Sequence, residues 1–378
     1  MTTLPVTVLT GFLGSGKTTL LNHLLEHADL ADAAVLVNEF GDVAIDHLLV
    51  RHVSEDVVLL NSGCLCCSVR GDMVTALRDL FLRRVRQEIP EFRRLLIETT
   101  GLADPAPILH TLMSDPLIAN HYRLDGVVTV VDAVAGADTL DRQMESVKQA
   151  AVADRLVLSK TDLAPAEAVA ALEERLARLN PGAPRLRADH GRVDPARLLN
   201  CGLFRAGDKH PDVAGWLRDE ALADPQAHEH DHHDNDHDHD HEHHDHEHHH
   251  QDANRHDDRI RAFCLTWTTP LDWDALLSGL ELLIASRGTD LLRIKGIVAA
   301  RGLDHPLALH GVQHVFHPPA ALPRWPLDPV TGAEDRRSRL VFITRDLSQG
   351  MVERVLAATL DGGTSPDGGA ETGAGTGD

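Results

Sequence analysis

The segment Gly11-Phe12-Leu13-Gly14-Ser15-Gly16-Lys17-Thr18 restricts this chain more than any other, because it joins an apolar run at residues 6–9 to an apolar-periodic run that begins near Lys17. Strand, glycine loop and helix in that order fit G-x-x-x-x-G-K-[ST]. Glycines let successive backbone N–H groups turn inward on a polyphosphate, and the helix N-terminus adds partial positive charge. The pattern assigns Lys17 to the β- and γ-phosphates and gives Thr18 a hydroxyl contact with Mg²⁺. Gly11, Gly14, Ser15, Gly16 and Thr19 complete the cradle.

Up to residue 204 the chain alternates short β-rich runs with longer helical ones, the signature of a parallel α/β sheet flanked by helices. Buried strands are expected at 6–9, 34–37, 57–60, 95–97, 126–131 and 155–158, with a helix at 73–85. From Ala227 the composition turns abruptly to His, Asp and Glu, which cannot bury enough surface to offset ordering entropy. Order resumes near Arg259 with the alternating Phe263, Leu265 and Trp267, a helix carrying Trp273, Leu276, Leu277, Leu280 and Ile284, and strands at 291–298 and 340–343. The expected fold is therefore a P-loop NTPase domain over 1–205, a linker over 206–258, a smaller α+β domain over 259–360, and a Gly- and Thr-rich tail over 361–378 that is expected to be disordered.

Further segments match what a nucleotide switch needs. The run at 95–97 ends in Glu98-Thr99-Thr100-Gly101, so Glu98 at a strand tip would hold Mg²⁺ directly or through water, and the Gly101 N–H would sense the γ-phosphate. After the run at 155–158 comes Ser159-Lys160-Thr161-Asp162, similar to N-K-x-D with Ser in the first place. Asp162 would accept from guanine N1 and N2, which adenine cannot offer, so GTP is the expected ligand. Leu102 stands where a Ras-like GTPase places the water-orienting glutamine, so intrinsic hydrolysis is expected to be slow, on the order of 10⁻⁴ to 10⁻² s⁻¹.

Three of the five cysteines fall in Gly63-Cys64-Leu65-Cys66-Cys67. In extended backbone Cys64 and Cys66 point to one side, and a local turn brings in Cys67. Clustered thiolates favour Zn²⁺, Co²⁺ or Cu(I) over Mg²⁺, and a tetrahedral ion needs a fourth ligand, for which Glu39, a histidine or water are the options. Cys201 and Cys264 read as core cysteines. Residues 227–250 hold thirteen histidines interleaved with nine acidic residues, His237, His239 and His241 among them. Neutral imidazoles beside carboxylates make a loose, multi-site collector of transition-metal ions.

A net charge of −22 argues against nucleic-acid or anionic-membrane surfaces, which need clustered Lys and Arg. No apolar run approaches the ~20 residues of a membrane helix, and the start of the chain lacks a basic leader. A cytoplasmic location follows as the expectation, and the oligomeric state is left open.

Taken together, Gly11 to Thr18, Asn38-Glu39-Phe40-Gly41 with Ile45-Asp46, the C-x-C-C run, Glu98 to Pro105 and Ser159 to Asp162 resemble the CobW-like family of P-loop GTPase metallochaperones. Arg293-Ile294-Lys295-Gly296 is similar to part of that family's C-terminal domain. The resemblance implies a GTP- and Mg²⁺-dependent switch that closes and opens a thiolate site and passes zinc to a client metalloprotein docked partly on the C-terminal domain. Cobalt delivery for corrin synthesis or to a cobalt enzyme, a passive metal buffer with an uncoupled GTPase, and an ATP-dependent kinase on the same cradle are the alternatives.

Overall fold

The computed structural model describes residues 3–37, 58–61, 69–201, 259–327 and 331–362. Seven parallel strands form the first sheet: β1 (Leu4–Thr10), β2 (Ala33–Val37), β3 (Val58–Asn61), β4 (Arg94–Glu98), β5 (Tyr122–Asp132), β6 (Arg155–Ser159) and β7 (Arg185–Arg187). Their spatial order is β3-β2-β4-β1-β5-β6-β7, so the chain starts near the middle, lays β2 and β3 on one side, returns to insert β4 beside β1, and then builds β5 to β7 on the other side. β1 and β2 are buried along their whole length, which is why they read as unbroken apolar runs rather than alternating ones. The carboxyl end of β1 lies at the point where the winding direction reverses, the place where open α/β sheets bind ligands.

Helices cover both faces. They are α1 (Lys17–Leu25), α2 (Val69–Val85), α3 (Ala106–Ser114), α4 (Pro116–Ala119), α5 (Gly136–Arg142), α6 (Met144–Ala151), α7 (Ala166–Leu179) and α8 (Pro195–Leu198). Strand residues Val6, Val8, Leu95 and Ile97 pack with Leu77 and Leu80 of α2 and Leu109 and Leu112 of α3. On the opposite face Leu9, Val35, Val128 and Val130 pack against Leu20, Leu21 and Leu24 of α1. This period-2 split of the strands between two cores fixes the register that carries β1 into the glycine loop.

The second sheet is antiparallel and has six strands: β8 (Ile260–Trp267), β9 (Leu291–Val298), β10 (Leu307–Val312), β11 (Val315–Phe316), β12 (Ala320–Ala321) and β13 (Ser338–Arg345). Its main path runs β11-β10-β9-β13-β8, and β12 pairs with β10. One face is covered by α9 (Trp273–Arg287) and α10 (Gln349–Gly362) around Leu276, Leu280, Phe342 and Leu356. Asp272 caps α9, its carboxylate accepting from Ala275 N at 3.0 Å.

The other face lies on the first domain. Val312 and Val315 enter the same apolar cluster as α3, and Leu292 and Ile343 pack on Ala151 at the end of α6. Between these patches is a buried charge cluster. Arg293 and Lys295 both contact Asp154 Oδ1, while Asp154 Oδ2 accepts from Val127 N at 2.8 Å. Burial alone would raise the Asp154 carboxyl, but the two cations hold it well below the usual carboxylate range. Burial and the neighbouring Arg293 push Lys295 down to about 8. His310, opposite Lys295 on β10, is pushed well below its ordinary value first by burial and then by Lys295 and Arg293, and burial takes His317 down to about 4.

The expected α/β and α+β classes match this architecture. β7 was not expected, because only Leu186 of its three residues is buried and two arginines flank it. β10 was missed because His310 and Gly311 interrupt its apolar pattern. Cys201 is buried as expected, but Cys264 is only half-buried. It alternates with Phe263 and Leu265, which take the core-facing positions of β8. Among the described residues no helix is long and apolar enough to cross a membrane.

Candidate nucleotide site

The cradle forms where β1 ends. Gly11 has φ 143°, and a Cβ there would lie 2.3 Å from the Val130 carbonyl oxygen on β5, so only glycine lets the loop leave the sheet at this point. Gly14 and Gly16 adopt left-handed φ values of 72° and 93°, and Ser15 N closes the turn on Phe12 O at 3.2 Å. Gly16 is also the N-cap of α1 and offers no capping side chain, which suits the first-turn N–H groups to an anion. Ser15 Oγ is buried without a hydrogen-bond partner among the described residues. Lys17, 8% exposed, donates from Nζ to Phe12 O at 3.1 Å, folding its ammonium over the loop that would receive the phosphates.

Glu98 reaches the same place from the end of β4. Thr18 Oγ1 donates to Glu98 Oε1 at 2.7 Å, so the hydroxyl and carboxylate assigned to Mg²⁺ already converge across 80 residues of sequence. A hard dication takes oxygen donors of this kind, and the pair fits it. Gly101 sits against the cradle, since a Cβ there would be 2.5 Å from Leu13 N. Leu102 beside it is 52% exposed and carries no group able to orient water. The loop is anchored from α6: Gln149 Nε2 donates to Gly101 O at 3.3 Å and to Ala103 O at 3.0 Å, and Lys148 Nζ donates to Asp104 Oδ2 at 2.9 Å. Gln313, in the β10–β11 turn, approaches the same Asp104 oxygen at 3.5 Å.

The guanine-type segment is tied directly to the cradle. Ser159 Oγ donates to Ser15 O at 2.6 Å, and Lys160, held at φ 55°, donates from Nζ to Gly14 O at 2.8 Å and to Asp132 Oδ2 at 2.6 Å. These bonds fix the segment expected to read a base at a set distance from the glycine loop. Asp162 lies exposed beyond them, with His190 Nδ1 3.6 Å from its Oδ2. The turn holding His190 is closed by paired bonds between Asp189 and Arg192, and Gly191 packs on Thr19. Asp132, Gln149 and His190 were missed in the sequence. The signals for Asp132 and His190 were an acid at the end of a buried run and a D-H-G turn following a strand too short to recognise.

The structure thus brings Gly11, Gly14, Ser15, Gly16, Lys17, Thr18, Thr19, Glu98, Gly101, Ser159, Lys160 and Asp162 to the carboxyl end of one sheet. Glu39, Cys64, Cys66, Cys67, His237, His239 and His241 lie outside the described residues. Among the described residues no group of three or more His, Cys, Asp or Glu is placed to hold a metal ion.

Comparison with known proteins gives consistent relatives. The profile described as "CobW/HypB/UreG, nucleotide-binding domain" matches residues 5–187, and "Cobalamin synthesis protein cobW C-terminal domain" matches residues 260–360. The zinc chaperone YjiA of Escherichia coli (strain K12) is 32% identical over 359 residues, covering 94% of this chain and 99% of its own. The zinc-regulated GTPase metalloprotein activator 1 of Schizosaccharomyces pombe is 36% identical over 198 residues, covering 50% of this chain and 47% of its own. The crystal structure of Zn(II)-bound YjiA GTPase from E. coli superposes with a TM-score of 0.63 at 26% identity, covering 95% of this chain and 99% of that one.

Proposed function

Because the chain belongs to the CobW family in both its nucleotide-binding and its C-terminal domain, we propose that it is a GTP-hydrolysing metallochaperone that binds zinc at Cys64, Cys66 and Cys67 and passes it to a client metalloprotein. The observation that carries the nucleotide half of this reading is the meeting of Thr18 with Glu98 over a cradle to which Ser159 and Lys160 are tied. Phosphate, γ-phosphate-sensing and base-reading residues then share one rigid frame, as a nucleotide switch requires. Relatives named as zinc chaperones and as a zinc-regulated GTPase metalloprotein activator support the metal half.

In this reading Lys17 leaves Phe12 O for the β- and γ-phosphates, Ser15 and the first turn of α1 take phosphate oxygens, and Asp162 accepts from the guanine edge. Mg²⁺, held by Thr18 with Glu98 nearby, would neutralise charge on the phosphates. The Gly101 N–H reports the γ-phosphate. Leu102 cannot orient water, so hydrolysis is slow and the bound state acts as a timer. Glu39 joins the cysteines when GTP is bound, and hydrolysis opens the site. Swinging such a switch from 1:99 to 99:1 takes ~5.5 kcal/mol of differential binding, within reach of γ-phosphate contacts. Residues 227–250 collect metal for the site.

The test is Zn²⁺ and Co²⁺ affinity, measured by competition with a chromophoric chelator, in GDP and in a non-hydrolysable GTP analogue, with and without residues 227–250. The reading expects the analogue to tighten binding at least about tenfold, a coupling of ~1.4 kcal/mol, and expects the Cys66→Ala, Cys67→Ala variant to lose that gain. Affinity that ignores the nucleotide and disappears with the histidine tract would leave a passive buffer attached to a GTPase.

A further inference from the structure

Gln149 has no place in the motifs above, yet it is fully buried in the last turns of α6 and faces the γ-phosphate-sensing loop. Its backbone carbonyl accepts from Thr129 Oγ1 of β5 at 2.7 Å, which locks that turn of the helix to the sheet. From this fixed base its Nε2 donates to Gly101 O at 3.3 Å and Ala103 O at 3.0 Å. The two carbonyls flank Leu102, and Gly101 in turn abuts Leu13 of the cradle. The Gln149 amide therefore helps set the distance between the Gly101 N–H and the phosphate loop, beside the Thr99 N–H bond to Leu9 O at 2.9 Å. That amide's Oε1 is buried without a hydrogen-bond partner among the described residues, a cost that an apolar side chain of the same length would not carry. Lys148 on the same helix holds Asp104 three residues beyond Gly101, so α6 grips the loop twice.

We propose that Gln149 is a positioning residue for GTP recognition and hydrolysis, holding the 99–105 loop so that the Gly101 N–H meets the γ-phosphate. The inference rests on the GTPase reading above. GDP has no γ-phosphate and does not use the Gly101 contact, so loss of the Gln149 amide separates the two nucleotides. Gln149→Met keeps length and apolar volume while removing both donors, and Gln149→Asn keeps the amide but draws it back by one methylene.

The experiment measures affinity of the full chain for fluorescent GDP and a fluorescent non-hydrolysable GTP analogue, together with kcat and KM for GTP. For both variants the expected result is a loss of about tenfold or more in the analogue-to-GDP affinity ratio and a comparable fall in kcat, while GDP affinity stays within about threefold of wild type. An unchanged ratio and kcat would overturn the proposal. Equal loss of both nucleotides, or failure of both variants to fold, would make Gln149 a structural residue and overturn it as well. Wild-type protein that neither binds the analogue nor hydrolyses GTP would instead refute the GTPase reading, so the two failures are distinct.

Discussion

Replacing Asp154 with alanine should cost about 4–6 kcal/mol of stability, a large share of the 5–15 typical of a folded domain. The carboxylate is 4% exposed and serves three donors: Arg293, Lys295 and the Val127 N–H. Removing one partner of a buried ion pair costs about 3–5 kcal/mol, because the remaining charge is stranded. Leaving the Val127 N–H unpaired adds about 1–3 kcal/mol, part of which water entering the truncated site recovers. Lys295 limits the loss, since it already sits near 8 and can shed its proton, whereas Arg293 cannot. A lysine with a depressed folded pKa makes stability rise with pH between its folded and unfolded values, because the unfolded chain binds the extra proton there. Without the Asp154 charge Lys295 falls further below 8, so the variant gains on wild type only up to about pH 8, and the deficit of Asp154→Ala should shrink as pH rises toward about 8 and stay level above it. Denaturant unfolding of wild type, Asp154→Ala, Lys295→Met and the double variant measures this directly. The aspartate change should cost less in the Lys295→Met background than in wild type. A loss below about 1 kcal/mol, or the same loss in both backgrounds, would refute the account of Asp154 as the counter-ion that seats the second sheet on the first.

Two further outcomes follow. Gly11→Ala forces a methyl to within 2.3 Å of Val130 O at φ 143°, so nucleotide affinity should drop by about tenfold or more while far-ultraviolet circular dichroism stays native; wild-type affinity would contradict the close approach of loop and β5. His317, held near 4 by burial, takes up a proton more readily when the chain unfolds, so its contribution falls as pH drops from about 6.5 to 4, by roughly 3 kcal/mol in full. His317→Asn should flatten the acid side of the stability curve, measured by denaturant midpoints at about pH 7.5 and 5, and a curve parallel to wild type would refute it.

The phosphate cradle was legible because each of its requirements is local. Gly11, Gly14 and Gly16 supply backbone conformations, Lys17 and Thr18 supply the chemistry, and an apolar run precedes them. Glu98 was legible for a similar reason, as an acid ending a buried run. The contacts that set the site's geometry were not legible, because they depend on strand order. Asp132 reaches Lys160 only because β5 and β6 are neighbours, and Gln149 reaches Gly101 only because α6 returns beside the end of β4. An interior glutamine on an amphipathic helix carries no periodic signal of what it touches. Nor did Asp154, which looks like a solvated residue before a strand until β9 brings Arg293 and Lys295 across it.

Among the described residues the second sheet rests on the first domain through the α3 contact, the Ala151 patch and, between them, the Asp154 cluster, and these differ in how readily they could move. The Asp154 cluster sits before β6 begins, at the edge remote from the cradle, and its partners are fully buried ions whose rearrangement is costly. The first of these contacts is made by α3, which starts directly after the 99–105 loop and packs on Val312 and Val315, with Gln313 beside Asp104. Among the described residues that contact is apolar apart from the long Gln313–Asp104 hydrogen bond, so sliding it by a fraction of an ångström strands no charge there. If GTP binds as proposed and its γ-phosphate draws Gly101 toward the cradle, Asp104, whose carboxylate accepts from Ala106 N at 3.0 Å, would carry the pull to the start of α3, beside the β10–β11 turn. In that case the charged cluster would be the pivot and the apolar contact the moving end. Any nucleotide-dependent movement of the C-terminal sheet should grow with distance from Asp154 and be greatest at β11.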